Sequence, residues 1–145
     1  MNLQKRFALT LALVTLPALT AVEAGAATIT RGTFTLPAQA YWNDTLLQPG
    51  DYTLSVSGSI SGVPTIVLRG ENVRATFFAP AGSGDISERS LLKIDDVNGT
   101  YVIRELDAGP SGRSYRFGVS KAVRNQTLRG ETQQLTVPVS PAAGF

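Results

Sequence analysis

Along the chain from Thr28 to Val139, apolar residues recur at every second position in short runs, and turn-forming residues break the runs. Period two is the spacing of a strand buried on one face, whereas an amphipathic helix needs 3.6. Phe34 and Leu36 share a face, as do Tyr52, Leu54 and Val56, then Tyr115, Phe117 and Val119, and finally Leu135, Val137 and Val139. Further runs span Ala38 to Trp42, Pro64 to Arg69, Val73 to Ala79, Leu92 to Val97 and Thr100 to Glu105.

The breaks have their own chemistry. Pro49-Gly50 suits the centre of a type II turn, where proline sets φ and glycine accepts a positive φ. Asn98-Gly99 between two alternating runs is the signature of a type I′ hairpin. Ser57 to Gly62, Gly70 to Asn72, Pro80 to Asp85 and Asp107 to Gly112 are further turn or loop clusters, and Ala122 to Gly130 is polar, a loop or one helical turn. Pro138 suits an edge strand. About eight or nine short strands, spaced roughly 8–12 residues apart, predict an all-β domain: an antiparallel β-sandwich of the Ig-like kind, with a small barrel as the other closed form.

Residues 1–26 carry a different grammar. Lys5-Arg6 precedes an apolar stretch from Phe7 to Val22, and Ala24-Gly25-Ala26 supplies small residues for cleavage, the layout of a secretory signal peptide. A stretch of that length holding Pro17 is shorter than the roughly 20 apolar residues of a membrane span. The expected organisation is a signal helix over 1–26 and one domain over 27–145, secreted or periplasmic and without stable membrane insertion. An outer-membrane barrel ending at Phe145 requires strands of about 9–11 residues with an apolar outer band, and the alternating runs are shorter.

Composition sharpens this. The chain has 145 residues with no His and no Cys, which excludes Ser-His-Asp and Cys-His catalysis, Cys/His zinc sites, haem on histidine and disulfides. The formal charge of +2 falls to about +1 once Lys5, Arg6 and Glu23 leave with the signal, and no two basic residues of the remainder are adjacent, so no nucleic-acid role is expected.

Two segments carry a resemblance. Phe34-Thr35-Leu36-Pro37 followed by Leu47-Gln48-Pro49-Gly50-Asp51-Tyr52-Thr53-Leu54, and Tyr101-Val102-Ile103-Arg104-Glu105-Leu106 followed by Gly112, Tyr115, Phe117, Val119 and Lys121, resemble the two halves of small secreted β-rich proteins of soil bacteria. No activity is attached to that family, so the resemblance implies secretion and a β-rich domain and carries over no catalytic residue. The Pro49 to Leu54 element is also similar to strand openings in Cna-B-like and carboxypeptidase-regulatory-like sandwich modules.

Candidate chemistry is sparse. Asp95-Asp96 with Asn98 is the one adjacent carboxylate pair, but its neighbours point to opposite faces of a strand and no glutamate stands at the twelfth position of a calcium loop. Ser90 and Lys93 have a spacing seen in Ser-Lys catalysis, yet they too face oppositely in a strand. Glycoside hydrolysis can run on two carboxylates alone, and nothing in the sequence pairs any two. Tyr41, Phe77 and Phe78 are the candidate binding surface, with Trp42 assigned to the core and Tyr41 to partial exposure. The expectation is a non-catalytic, cofactor-free module with a binding or a structural, envelope-associated role; its partner is unknown, with a carbohydrate or another envelope protein as the candidates. The alternatives are a small two-carboxylate carbohydrate-active enzyme and a surface protein that self-assembles by strand addition through residues 27–31.

Overall fold

The computed structural model describes residues 28–58, 62–127 and 132–142. The expected signal segment over 1–26 and Phe145 lie outside the described residues. The strands are β1 (Thr28–Leu36), β2 (Ala40–Trp42), β3 (Thr45–Leu47), β4 (Gly50–Ser57), β5 (Thr65–Arg69), β6 (Arg74–Phe78), β7 (Ala81–Ser83), β8 (Ser90–Val97), β9 (Thr100–Ala108), β10 (Arg113–Arg116) and β11 (Thr132–Pro141). A 3₁₀ turn at Gly109–Ser111 links β9 to β10, and a short helix, α1 (Lys121–Thr127), fills part of the polar segment before β11.

The all-β expectation holds, but β4, β8, β9 and β11 run longer than their alternating segments, and short strands such as β3 and β7 are added. The segment expected to be a plain loop at 80–85 contains β7, which pairs with β10. Among the described residues, all eleven strands belong to one sheet in the order β3-β2-β9-β8-β11-β1-β4-β5-β6, with β10 and β7 continuing from β9. Pairing is antiparallel except between β2 and β9, which run parallel, so the sheet is mixed and not wholly antiparallel as expected. β9 divides one edge between two partners: Tyr101 and Val102 pair with β2, while Glu105 to Ala108 pair with β10.

The sheet curls on itself and is nearly closed like a barrel. Trp42, near one end of the strand order, stacks on Phe77 from the other end at 4.9 Å, so the two ends meet through side chains across the interior. β11 makes the turn between the two halves: residues 132–139 pair with β8, and only Ser140 and Pro141 pair with β1. Residues 132–139 thus have a strand partner on one side only, where a residue without an N–H is tolerated, and Pro138 lies in that stretch.

The interior is apolar. Phe34, Leu36, Trp42, Leu47, Leu54, Val56, Ile66, Leu68, Leu92, Ile103, Leu106 and Tyr115 form its centre. Outward positions of β1 and β4 are Thr33, Thr35, Thr53 and Ser55, the reverse of the apolar outer band of a membrane barrel. Among the described residues no helix is long and apolar enough to cross a membrane.

The predicted hairpin is present: Asn98 and Gly99 have φ of 53° and 80° between β8 and β9. Both central positions of a type I′ turn need that sign, which asparagine tolerates and glycine adopts freely. Five residues after Gly99, β9 carries a feature that alternation alone hides. Ile103 pairs with Ile94 but Glu105 pairs with Lys93, so Arg104 is the extra residue of a bulge. The bulge resets the parity of β9. Ile103 faces the core before it, Leu106 and Ala108 face the core after it, and Glu105 and Asp107 turn outward beside Lys93.

Candidate functional site

Of the predicted surface residues, Tyr41 is half-buried and Phe78 is 70% exposed, whereas Phe77 is a core ring. Parity in β6 separates the last two: Phe77 points inward onto Trp42, and Phe78 points outward opposite Thr65. Trp42 is wholly buried, with Tyr41 on the opposite face of β2, in register with Leu46 and Val102 of the neighbouring strands. A shallow cleft runs past Tyr41, walled by Gln39, Leu46, Gly99, Thr100 and Tyr101. Phe78 is not among its walls, so the structure does not gather the three residues into one surface.

Among the described residues, two carboxylates share one cation. Lys93 Nζ on β8 lies 2.8 Å from Glu105 Oε1 and 3.7 Å from Asp107 Oδ2, and Arg116 Nε on β10 lies 3.1 Å from Glu105 Oε2. Alternation puts Glu105 and Asp107 on one side of β9, and the bulge at Arg104 is what turns that side outward. The sequence concealed this cluster; the uneven spacing Ile103, Leu106, Ala108 is the one signal that could have located it.

Burial pushes the Glu105 carboxyl up, but the hydrogen bond and charge of Lys93, followed by those of Arg116, outweigh it and hold the group below its ordinary value of 4.5. On Lys93, the Glu105 hydrogen bond raises the ammonium above its ordinary 10.5; partial burial opposes this, and the charges of Glu105 and Asp107 add to it. The carboxylate's contribution to stability is present above the ordinary glutamate value and is lost as pH falls through the lower folded value. The ammonium's contribution is present below 10.5 and is lost as pH rises through the higher folded value. Glu105→Gln is therefore expected to lower stability at pH 7 by on the order of 1 kcal/mol or less, as for other partly exposed pairs. Denaturant unfolding checks this: the gap between variant and parent closes toward pH 3, and a gap that persists there contradicts the assignment.

The other sequence candidates separate. Asp95 Oδ2 pairs with Arg104 Nε at 3.3 Å, while Asp96 Oδ1 accepts the Gly99 N–H at 2.8 Å and so fixes the hairpin turn. The two carboxylates are thus committed to different partners, and among the described residues no group of three acids is placed to hold a metal ion. Ser90 points into the interior and Lys93 points out. The strand-addition donor is occupied: residues 28–31 belong to β1 and pair along β4, from Thr28 with Ser57 to Arg31 with Ser55, and Ala27 lies outside the described residues.

Comparison of the chain with known protein families, with curated proteins and with solved structures finds no match.

Proposed function

We propose that this chain is an exported, cofactor-free β-module that works by binding and performs no chemistry of its own, with residues 1–26 directing its export. The observation that carries the reading is the position of Lys93. Two carboxylates acting on a glycosidic bond must differ in protonation, one acid and one base or nucleophile, and must flank a cleft. Glu105 and Asp107 instead share one ammonium on an outer sheet face, an arrangement that favours charge on both partners of the Lys93–Glu105 pair. Such a cluster ties β8, β9 and β10 together.

In this reading the curled sheet is a sandwich of the Ig-like kind. β1, β4, β5 and β6 form one layer, β8, β9 and β10 form the other, and β11 passes between them. A frame of that type presents its outer faces and strand edges to a partner while its interior stays filled.

Reducing-end release from xylan, starch and chitin tests the reading. The expected result is no release above the blank over a prolonged incubation, for the parent and for Glu105→Gln alike. Turnover that Glu105→Gln abolishes would overturn it.

A further inference from the structure

Arg31, Arg69, Arg74 and Arg89 lie far apart in the sequence and come together along one outer surface. In β5 and β6 the inward side chains are Ile66, Leu68 and Phe77, so Arg69 and Arg74 point outward, and they face each other directly across the pair. Arg69 is in register with Thr53 of β4, which is in register with Thr33 of β1. Arg31 stands one alternate position along β1, opposite Ser55. Arg31, Thr33, Thr53, Ser55 and Arg69 wall one shallow concavity, and Arg31 and Arg89 wall the next, a cavity of about 730 Å³. The first three arginines thus span β6, β5, β4 and β1, three strand spacings or about 14 Å, and Arg89 extends the line.

None of these four guanidinium groups makes an ion pair or side-chain hydrogen bond within the described residues. Arg104 and Arg116, on the opposite half of the sheet, are held by Asp95 and Glu105. The same region also carries Asp51, which accepts the Thr35 hydroxyl, Glu71 in the turn between β5 and β6, and Glu88, which walls the larger cavity together with Arg31 and Arg89. No ion pair joins any of them to the arginines.

We propose that this line of arginines binds an anionic polysaccharide, a chain bearing sulfate or uronate groups. The proposal names the ligand class for the binding reading above and rests on that reading. A guanidinium fork takes a sulfate or carboxylate through two parallel hydrogen bonds, and repeated cations suit a polymer with repeated anions. Thr33, Thr53 and Ser55 between the arginines offer hydroxyls that both donate and accept, as sugar hydroxyls do. The walls of the two concavities carry no aromatic ring, so the stacking platform of a single-stranded nucleic-acid groove is missing from them.

The test uses the whole protein on immobilised heparin and polygalacturonate, with dextran as the neutral control and single-stranded DNA as a second polyanion. Retention on both anionic glycans at low salt, and none on dextran, is expected. Arg69→Gln with Arg74→Gln is expected to weaken heparin binding about tenfold and to flatten its salt dependence by roughly two counterions. Arg104→Gln with Arg116→Gln removes the same charge from the other half of the sheet and is expected to change binding less than twofold. Melting curves of both doubles establish that they fold. Equal losses from the two doubles, or tighter retention on DNA than on either glycan, would overturn the assignment. Absence of retention on both glycans overturns it too and leaves the binding reading standing, whereas shortening of a glycan overturns that reading instead.

Discussion

Replacing Trp42 with alanine is expected to destabilise the protein by about 3–5 kcal/mol, the range for removing a large buried aromatic. For a domain of this size that lowers Tm by roughly 12–20 °C. The indole is fully buried and touches three rings: it stacks on Phe77 at 4.9 Å, meets Phe117 edge-on at 4.8 Å, and lies 6.2 Å from Phe34. Its importance comes from topology as much as area. β2 and β6 stand near opposite ends of the strand order, and the contact between Trp42 and Phe77 joins them. Trp42→Phe supplies an independent reading should the alanine variant not fold. The indole N–H has no partner among the described residues, so phenylalanine loses volume while removing an unpaired buried donor. Its cost is expected to be no more than about half that of alanine. A Trp42→Ala variant within 1 kcal/mol of the parent, or a Trp42→Phe variant just as unstable, would contradict this view of closure.

Gly109→Ala is the second large effect. A methyl group at this position would stand 2.1 Å from Ser87 Oγ and 2.2 Å from the Arg89 carbonyl oxygen. The hydroxyl can rotate away, but the carbonyl belongs to backbone entering β8, and the Ser87 N–H is itself bonded to the Gly109 carbonyl. The 3₁₀ turn and the segment before β8 must therefore separate, at an expected cost of about 1–3 kcal/mol or a fall in Tm of roughly 4–12 °C. Gly118→Ala provides the contrast. Its nearest neighbour in space, Asn43 Oδ1, is 4.0 Å away and its φ is not positive, so a change within about 0.5 kcal/mol is expected. Equal melting temperatures for the two variants would show that close packing at Gly109 is not what joins these segments.

The parts of this architecture that can be read from sequence are those set by neighbouring residues. Alternation placed Phe34, Leu36, Tyr52, Leu54 and Val56 on the inward face, and Asn98-Gly99 located the hairpin between β8 and β9. Strand order is set by contacts between distant residues, and no local pattern encodes that β2 lies parallel to β9 or that β11 crosses from β8 to β1. The bulge at Arg104 is a single unpaired residue, so the outward turn of Glu105 and Asp107 depended on the register of β8 and β9, whose one trace in the sequence is the uneven spacing of Ile103, Leu106 and Ala108. The arginine line was hidden for a related reason. Each of its members is isolated in the sequence, and β1, β4, β5 and β6 must be laid side by side before Arg31, Arg69 and Arg74 share a face. Parity, by contrast, was sufficient to separate Phe77 from Phe78, since adjacent strand residues must face opposite ways.

The proposed function is binding at the outer surface without bond-breaking, and one chromatographic experiment tests both parts. The whole protein is mixed with heparin of defined length and passed through a sizing column with light-scattering detection, before and after prolonged incubation. The predicted result is co-elution of protein with polymer whose chain length does not change, and loss of co-elution when Arg69 and Arg74 are replaced by glutamine. Polymer that shortens with time, or protein that elutes apart from intact polymer, would contradict it.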